Sequence, residues 1–310
     1  MLTTGTHERL GYLRLLLRSL SRQTMRPSEI IVASEVSDRE LLETVKRECG
    51  DTCMVLATGL WNKCRTANRA ILESRGDIVF LLEDDLVLRE DFIEEVVKTF
   101  DRDGSIGCVY SRCVWVFREG ARSRGGPLGL ATRLLSKLSV HESLLPRQVR
   151  TIDRHLAEIP VFTMSVACRR EALLRAGLYD ESVEEPIQGE DFDLAMRVRA
   201  AGYRIVANGK AVSYHFTRQV SKRVERLRRD PRHIEGVYRS EVYFLAKNRG
   251  LVGLYVVPHA IYRAIEAVAW AARSGRPSTA LYGVRGIMVG LVKGCVSRGA
   301  GPWRSRSYTS

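Results

Sequence analysis

The sequence predicts an α/β protein, a doubly wound, mostly parallel sheet with a C-terminal helical extension. Three observations lead there. Short apolar runs rich in Ile and Val alternate with helix-period segments as far as His215, the pattern of strands connected by covering helices. One such run, Asp77 to Leu82, passes straight into Glu83-Asp84-Asp85, and a buried strand of an open sheet delivers its C-terminal end to a ligand crevice. Beyond His215 the chain turns basic and then becomes long apolar stretches broken by single Arg or Lys. The expected division is an α/β domain over 1–220 and a basic linker with amphipathic or apolar helices over 221–310.

Each element follows from local pattern. Leu10 to Gln23 is a helix with Leu13, Leu16, Leu17 and Leu20 on one face. Glu29 to Ala33 is a short buried strand, Arg39 to Cys49 a helix, and Met54 to Ala57 a strand. Lys63 to Ser74 is a helix, followed by the Asp77 to Leu82 strand and a helix over Glu90 to Phe100. Ile106 to Trp115 and Val161 to Arg169 read as strands, with the Gly-, Arg- and Ser-rich stretch Arg118 to Pro146 as an insertion with a helical middle. A short helix opens at Gly189-Glu190-Asp191 and closes at Gly202; Tyr203 to Val206 and Ala211 to His215 complete the sheet. From Ser240 onward the reading is helical, over Leu251 to Ala272 and Leu281 to Val296. These last helices fit a membrane interface, where Arg and Lys reach back to the headgroups, or a helical layer packed on the sheet.

Two acidic clusters carry chemistry. Glu190 and Asp191 face the positive end of a helix dipole, which favours their ionised form, and the adjacent Gly189 leaves an approach open for a hydroxyl whose proton a carboxylate could take. An acidic helix cap is the plainer reading of the pair alone. The three carboxylates after Leu82 repel one another unless a cation sits among them, and hard oxygen ligands suit Mg²⁺ or Mn²⁺ bridging to a phosphate. A solvated acidic turn is the alternative.

Charge and cysteines narrow the setting. Of 310 residues, 45% are hydrophobic and 27% charged, which is ordinary for a folded protein, but the formal net charge is +13, which calls for an anionic partner. Seven scattered cysteines, without a Cys-x-x-Cys pair, speak against a disulfide framework or zinc site and for a reducing compartment. The start, Met1-Leu2-Thr3-Thr4-Gly5, lacks the regions of a secretory signal, and no run of eighteen uninterrupted apolar residues marks a spanning helix.

Taken in order, several segments resemble the inverting family-2 glycosyltransferases of the GT-A fold. They are Thr6-His7-Glu8-Arg9 with the helix after it, Glu29-Ile30-Ile31-Val32, Ala67-Asn68-Arg69-Ala70-Ile71 with Gly76-Asp77, Glu83-Asp84-Asp85, Arg169 to Leu173 with Gly177 to Glu181, Gly189-Glu190-Asp191, and His215. The resemblance runs continuously to about His215 and more loosely through the C-terminal helices. It implies that Asp191 is the general base and that Asp85 and His215 hold Mg²⁺ or Mn²⁺ against a donor diphosphate. It implies donor contacts from Thr6, Glu8, Ser34, Asn68, Glu83 and Asp84, with Glu190 on the acceptor side. Lys63 and Arg65 could meet phosphates or be solvated. Glu8 stands where the family often has Asn, Ser34 where it usually has Asp, and Glu83 replaces a commoner Asp; these departures bear on the donor base, which the sequence leaves unread.

The expected partners are a nucleoside-diphosphate sugar, a glycan or polyprenyl-linked acceptor and an anionic membrane surface, with no nucleic acid; the expected location is cytoplasmic, peripheral at the inner face of the plasma membrane. His7, His141, His155, His233 and His259 are not spaced as metal ligands. Trp61 and Trp115 are acceptor platforms or core packing. The basic run Ser221 to Arg232 is a solvated face or a phosphate contact. Two other classes compete. A sugar-phosphate nucleotidyltransferase wants a Gly-rich basic phosphate loop after the first strand, which Thr3 to Arg9 supplies poorly. A nucleic-acid-binding protein wants aromatics among its basic residues, and Ser221 to Arg232 has none.

Overall fold

The structure, a computed structural model, describes residues 1–35, 38–59, 62–117, 156–163, 165–217 and 230–297. Trp61, His141, His155, the Arg118 to Pro146 insertion and most of the Ser221 to Arg232 run lie outside them.

The first layer is a parallel three-stranded sheet of β1 (Leu2–Thr3), β2 (Ile30–Ser34) and β3 (Cys53–Ala57). Helix α1 (His7–Ser21) is used on two sides. Leu10, Leu13 and Leu17 pack with Val32 of β2 and with Leu41 and Val45 of α2 (Arg39–Cys49), while Leu16 and Leu20 face a second core. Each of these leucines is nearly inaccessible, and burying one is worth about 2 kcal/mol.

The second layer is a mixed six-stranded sheet built on β4 (Ile78–Leu81), β5 (Leu86–Leu88), β6 (Ile106–Phe117), β7 (Leu156–Glu158), β8 (Val166–Arg169) and β9 (Arg204–Thr217). β6 and β9 run parallel, while β4 and β6 both pair antiparallel with β8. A parallel bridge between Leu2 and Glu83 joins the two sheets. Helix α3 (Lys63–Glu73) contributes Cys64, Ala67 and Ile71 to the main core, and α4 (Phe92–Phe100) covers the other face through Phe92, Val96 and Phe100.

Several elements differ from the sequence pattern. β5 lies between the acidic cluster and α4, too short for periodicity to reveal. Two separately expected strands are one fourteen-residue β9, because Asn208 holds the intervening turn to α4 by donating to the Glu95 carbonyl and Thr99 Oγ1. The strand expected over Val161 to Arg169 is confined to Val166–Arg169 and continues directly into α5 (Arg170–Ala176).

The cysteine reading needs correction. Cys108 and Cys168 face each other in the β6–β8 register and form one disulfide, and Cys49 and Cys53 close the turn between α2 and β3 with another. Cys64, Cys113 and Cys295 are in neither disulfide. The spacing rule missed the first pair because sheet register, not sequence proximity, brings together residues sixty apart.

After the sheets, α6 (Glu190–Ala200) lies against the long helix α7 (Pro231–Lys247), whose Tyr243, Phe244 and Ala246 enter the main core. A helical turn at Arg249–Val252 leads to α8 (Val256–Ser274) and α9 (Pro277–Val296). Gly283, Gly286, Gly290 and Gly294 form the face of α9 that meets its neighbours, and a Cβ on Gly286 would lie 2.4 Å from the Glu235 carbonyl oxygen of α7.

Candidate active site

Three chain segments converge at the C-terminal end of β4. The chain leaving β4 supplies Glu83, Asp84 and Asp85, β9 supplies His215, and the first turn of α6 supplies Glu190 and Asp191. Gly189 caps α6 at φ +94°, a left-handed conformation that favours glycine, and an added Cβ would lie 3.4 Å from Phe244 and 3.5 Å from the Glu241 backbone. Glycine here lets α7 press on the turn that aims Asp191.

The acidic triplet divides its tasks. Asp84 is fully buried; it accepts from Thr3 Oγ1 at 2.6 Å and Arg9 Nε at 3.0 Å, and pairs with a terminal Arg9 nitrogen. Asp85 accepts from Arg9 Nη1 at 3.1 Å, and its Oδ1 lies 3.1 Å from His215 Nε2. Burial acts to raise the Asp85 carboxyl, but His215 and Arg9 outweigh it and hold it below the usual range. Burial, then Asp85, push Glu83 up. One ligand atom each from Glu83, Asp85 and His215 falls within a 4.8 Å cluster. Among the described residues, Asp85 Oδ1 is buried without an aligned hydrogen-bond donor, and His215 Nδ1 has no hydrogen-bond partner. Two carboxylates and an imidazole with an orphaned buried oxygen fit a divalent cation. Trp115 packs edge-on against His215, with ring centroids 4.3 Å apart, and so walls this site.

The second group is Asp191, Glu190, Lys63 and Tyr179. Tyr179 Oη donates to Asp191 Oδ1 at 2.9 Å, and Lys63 Nζ pairs with Glu190. Burial first, then Glu190, raise the Asp191 carboxyl to about 7. Burial works against charge on Lys63, yet Glu190 and Asp191 outweigh it and keep the ammonium charged. Glu83, Glu190, Asp191, Lys63 and Tyr179 line one small cleft. A separate apolar crevice lies between β2 and β4, bordered by Ile30, Ile31, Ile78 and Phe80. It lacks the convergent acid–base cluster that the smaller cleft holds.

The other expected donor residues sit as follows. Thr6 is the N-cap residue of α1, and Ser34 is buried at the end of β2. Glu8 is in the first turn of α1; its side chain is not among the described groups. Asn68 is buried in α3; its amide donates to the Tyr179 carbonyl and Glu181 Oε1, and its Oδ1 accepts from the Tyr179 backbone at 2.8 Å. Asn68 therefore positions Tyr179, and none of Thr6, Ser34 and Asn68 borders the small cleft. Arg65 is exposed on α3. Sequence reasoning missed Arg9, Thr3 and Tyr179. Arg9 and Tyr179 lie inside the motifs that carried the resemblance, but their partners are 75 and 12 residues away.

Known proteins resemble this chain in sequence or fold to different extents. The glucosyl-dolichyl phosphate glucuronosyltransferase of Haloferax volcanii is 22% identical over 215 residues, 64% of this chain and 62% of that protein. The fold matches the mannosyltransferase PcManGT from Pyrobaculum calidifontis, in complex with GDP-Man and Mn²⁺, at a TM-score of 0.51 and 17% identity, over 94% of this chain and 85% of the other. It matches GalNAc-T7 with UDP, GalNAc and Mn²⁺ at 0.51 and 15%, over 84% of this chain and 55% of that one. Residues 4–232 match the family described as "Glycosyltransferase like family 2". With that span covering well over half the chain, and the sheet, acidic cluster and following helices of a GT-A fold in place, the protein belongs to glycosyltransferase family 2.

Proposed function

We propose that this chain is a metal-dependent, inverting glycosyltransferase that moves a sugar from a nucleoside-diphosphate donor to a hydroxyl of a glycan or polyprenyl-linked acceptor. The observation that carries the reading is Asp191, a carboxylate held by Tyr179 in the same cleft as Glu83 and next to the Asp85–His215 pair. Asp191 takes the acceptor hydroxyl proton as that oxygen bonds to the anomeric carbon; the bond from that carbon to the diphosphate breaks, and the nucleoside diphosphate leaves. Attack opposite the leaving group inverts the anomeric centre.

Asp85, His215 and Glu83 would hold Mg²⁺ or Mn²⁺, which supplies neutralising charge to the leaving diphosphate. Arg9 holds Asp84 and Asp85 in place, Lys63 holds Glu190 on the acceptor side, and Thr6, Glu8, Ser34 and Asn68 act in or behind the donor pocket. The glucuronosyltransferase relative, named for a dolichyl phosphate substrate, supports a lipid-linked acceptor. The protein then works peripherally at a membrane. We place it on the cytoplasmic side, because a charged sugar nucleotide does not cross a bilayer; the paired cysteines remove the other support for that side. Nucleic acid is not the partner that the +13 charge serves.

Asp191→Asn tests the reading. Turnover should fall by roughly 10²–10⁴, the contribution of a general base, while nucleotide binding persists. Wild-type turnover in that variant would remove Asp191 from the base role.

A further inference from the structure

Helices α8 and α9 present a second surface that the transfer site does not use. On α8, Val257, Ile261, Ile265 and Val268 follow helical spacing and are exposed, three of them by more than half. On α9, Leu281, Val284, Met288, Val292 and Val296 do the same, with Leu281 at 70% exposure and Val296 at 81%.

The opposite face of α9 fixes this presentation. A Cβ on Gly290 would lie 2.5 Å from the Arg239 carbonyl oxygen, and one on Gly294 would lie 2.6 Å from the Tyr243 carbonyl oxygen and the Ala246 Cβ. The α9 backbone therefore rests on α7 along its length, and its valine and leucine side must point outward. Isolated apolar residues on a surface need no explanation, but a continuous stripe along a helix does.

The charge pattern identifies what covers it. From Arg249 to Ser297 the chain carries six basic residues against a single acid, Glu266. Arg263 is turned inward onto Glu241 and Glu266, and Arg285, though mostly exposed, lies 3.5 Å from Glu235 of α7, so the outward charge comes from Arg276, Arg285 and Lys293. Arg285 and Lys293 are exposed and lie beside Val284 and Val292 on α9. An apolar stripe bordered by cations suits the boundary between acyl chains and anionic headgroups, into which an in-plane helix sinks about 5–10 Å. By length and composition alone α9 could cross a membrane. Crossing would strip its glycine face from α7, whose Glu235, Arg239 and Glu241 belong to the folded domain.

We propose that the outer faces of α8 and α9 are an in-plane seat for an anionic bilayer, held to the catalytic domain through the glycine face of α9. This deepens the transfer reading by seating the domain where a lipid-linked acceptor lies, and it rests on that reading only for its purpose.

Cys295 provides a native probe. It is the exposed free cysteine next to Val296, whereas the other six are buried or in disulfides. The full-length protein, labelled there with an environment-sensitive NBD dye, is mixed with vesicles of phosphatidylcholine with and without phosphatidylglycerol. The expected result is a blue shift on the anionic vesicles, quenched more by lipid nitroxides near the headgroup than by those near the bilayer centre. Arg285→Gln with Lys293→Gln should weaken binding at least roughly tenfold. Leu281→Glu, Met288→Glu and Val292→Glu together should abolish it, while an unchanged melting temperature shows that the protein still folds.

Stronger quenching from the bilayer centre would overturn the proposal in favour of a spanning helix. No vesicle response, with or without a dimer in light scattering that the glutamate variant dissolves, would also overturn it. Nucleotide binding with Mn²⁺ in the same samples is read separately, so failure of the transfer reading and failure of the seat are distinguishable.

Discussion

Asp191 sits where burial and Glu190 together raise its carboxyl to about 7, and this has two consequences of opposite sign. A base works only when ionised, so turnover should rise with pH through about 7. Stability runs the other way. In the unfolded chain an aspartate loses its proton near pH 4, whereas the native state keeps it until about 7, so the native state binds more protons in that window and stability falls as pH rises through it. Asp191→Asn should therefore melt higher than wild type at pH 8 and about the same at pH 4; equal melting at both would show that Asp191 is not strained. Lys63 lowers the same carboxyl, so Lys63→Met should move the acid limb of the turnover profile to higher pH, and an unmoved limb would remove Lys63 from the electrostatics of the base. At this scale the sequence exposed the acids more readily than their partners. Asp85, His215, Glu190 and Asp191 stand in local motifs, but Arg9 reaches Asp84 across 75 positions, and only the fold brings them together. Asn68 shows the converse: its motif marked it as important, yet its amide is spent on Tyr179 and Glu181, which no local pattern could reveal.

The elements that aim Asp191 are held by charge. Lys247 of α7 lies 2.6 Å from Asp180 Oδ2 and 3.1 Å from Asp193 Oδ1 on α6, and Asn248 Nδ2 donates to Asp193 at 2.7 Å. This buried group ties the C-terminal end of α7 to the helix that starts one residue before Asp191. Without Lys247, Asp193 keeps Arg197 and Asn248, but Asp180 loses its cation and keeps the Tyr243 hydroxyl and the Ser182 backbone N–H. Lys247→Met should therefore cost about 3 kcal/mol in chemical denaturation, the low end for a broken buried pair. A displaced α6 should also lower kcat by roughly tenfold to a hundredfold, with the donor KM little changed. A surface-like loss below about 1 kcal/mol would show that α7 does not position the base. Strand–helix alternation was readable because apolar periodicity is local. β5, β7 and the joining of β9 were not, because short strands and continuous ladders are decided by neighbouring strands.

Across the whole molecule, the two disulfides set a count. Protein purified without reductant should show three thiols after unfolding and rapid reaction only at Cys295 before it, since Cys64 and Cys113 are buried; seven thiols would mean that both pairs are reduced. The helical extension was visible in composition, but its orientation was not, because the glycine face of α9 acquires meaning only against α7. The excess of positive charge was equally plain, and the structure gives part of it a place, beside the apolar face of α9 and at Arg9 and Lys63 around the carboxylates. The central claim is that these carboxylates hold a cation against a nucleoside diphosphate. It is tested most directly by thermal melting of the wild type and of Asp85→Ala with UDP, GDP or dTDP, each with Mn²⁺ or with excess chelator. At least one nucleotide should stabilise the wild type in Mn²⁺ and lose that effect in chelator and in Asp85→Ala. Stabilisation that persists in chelator, or no response to any of the three with Mn²⁺, would contradict it.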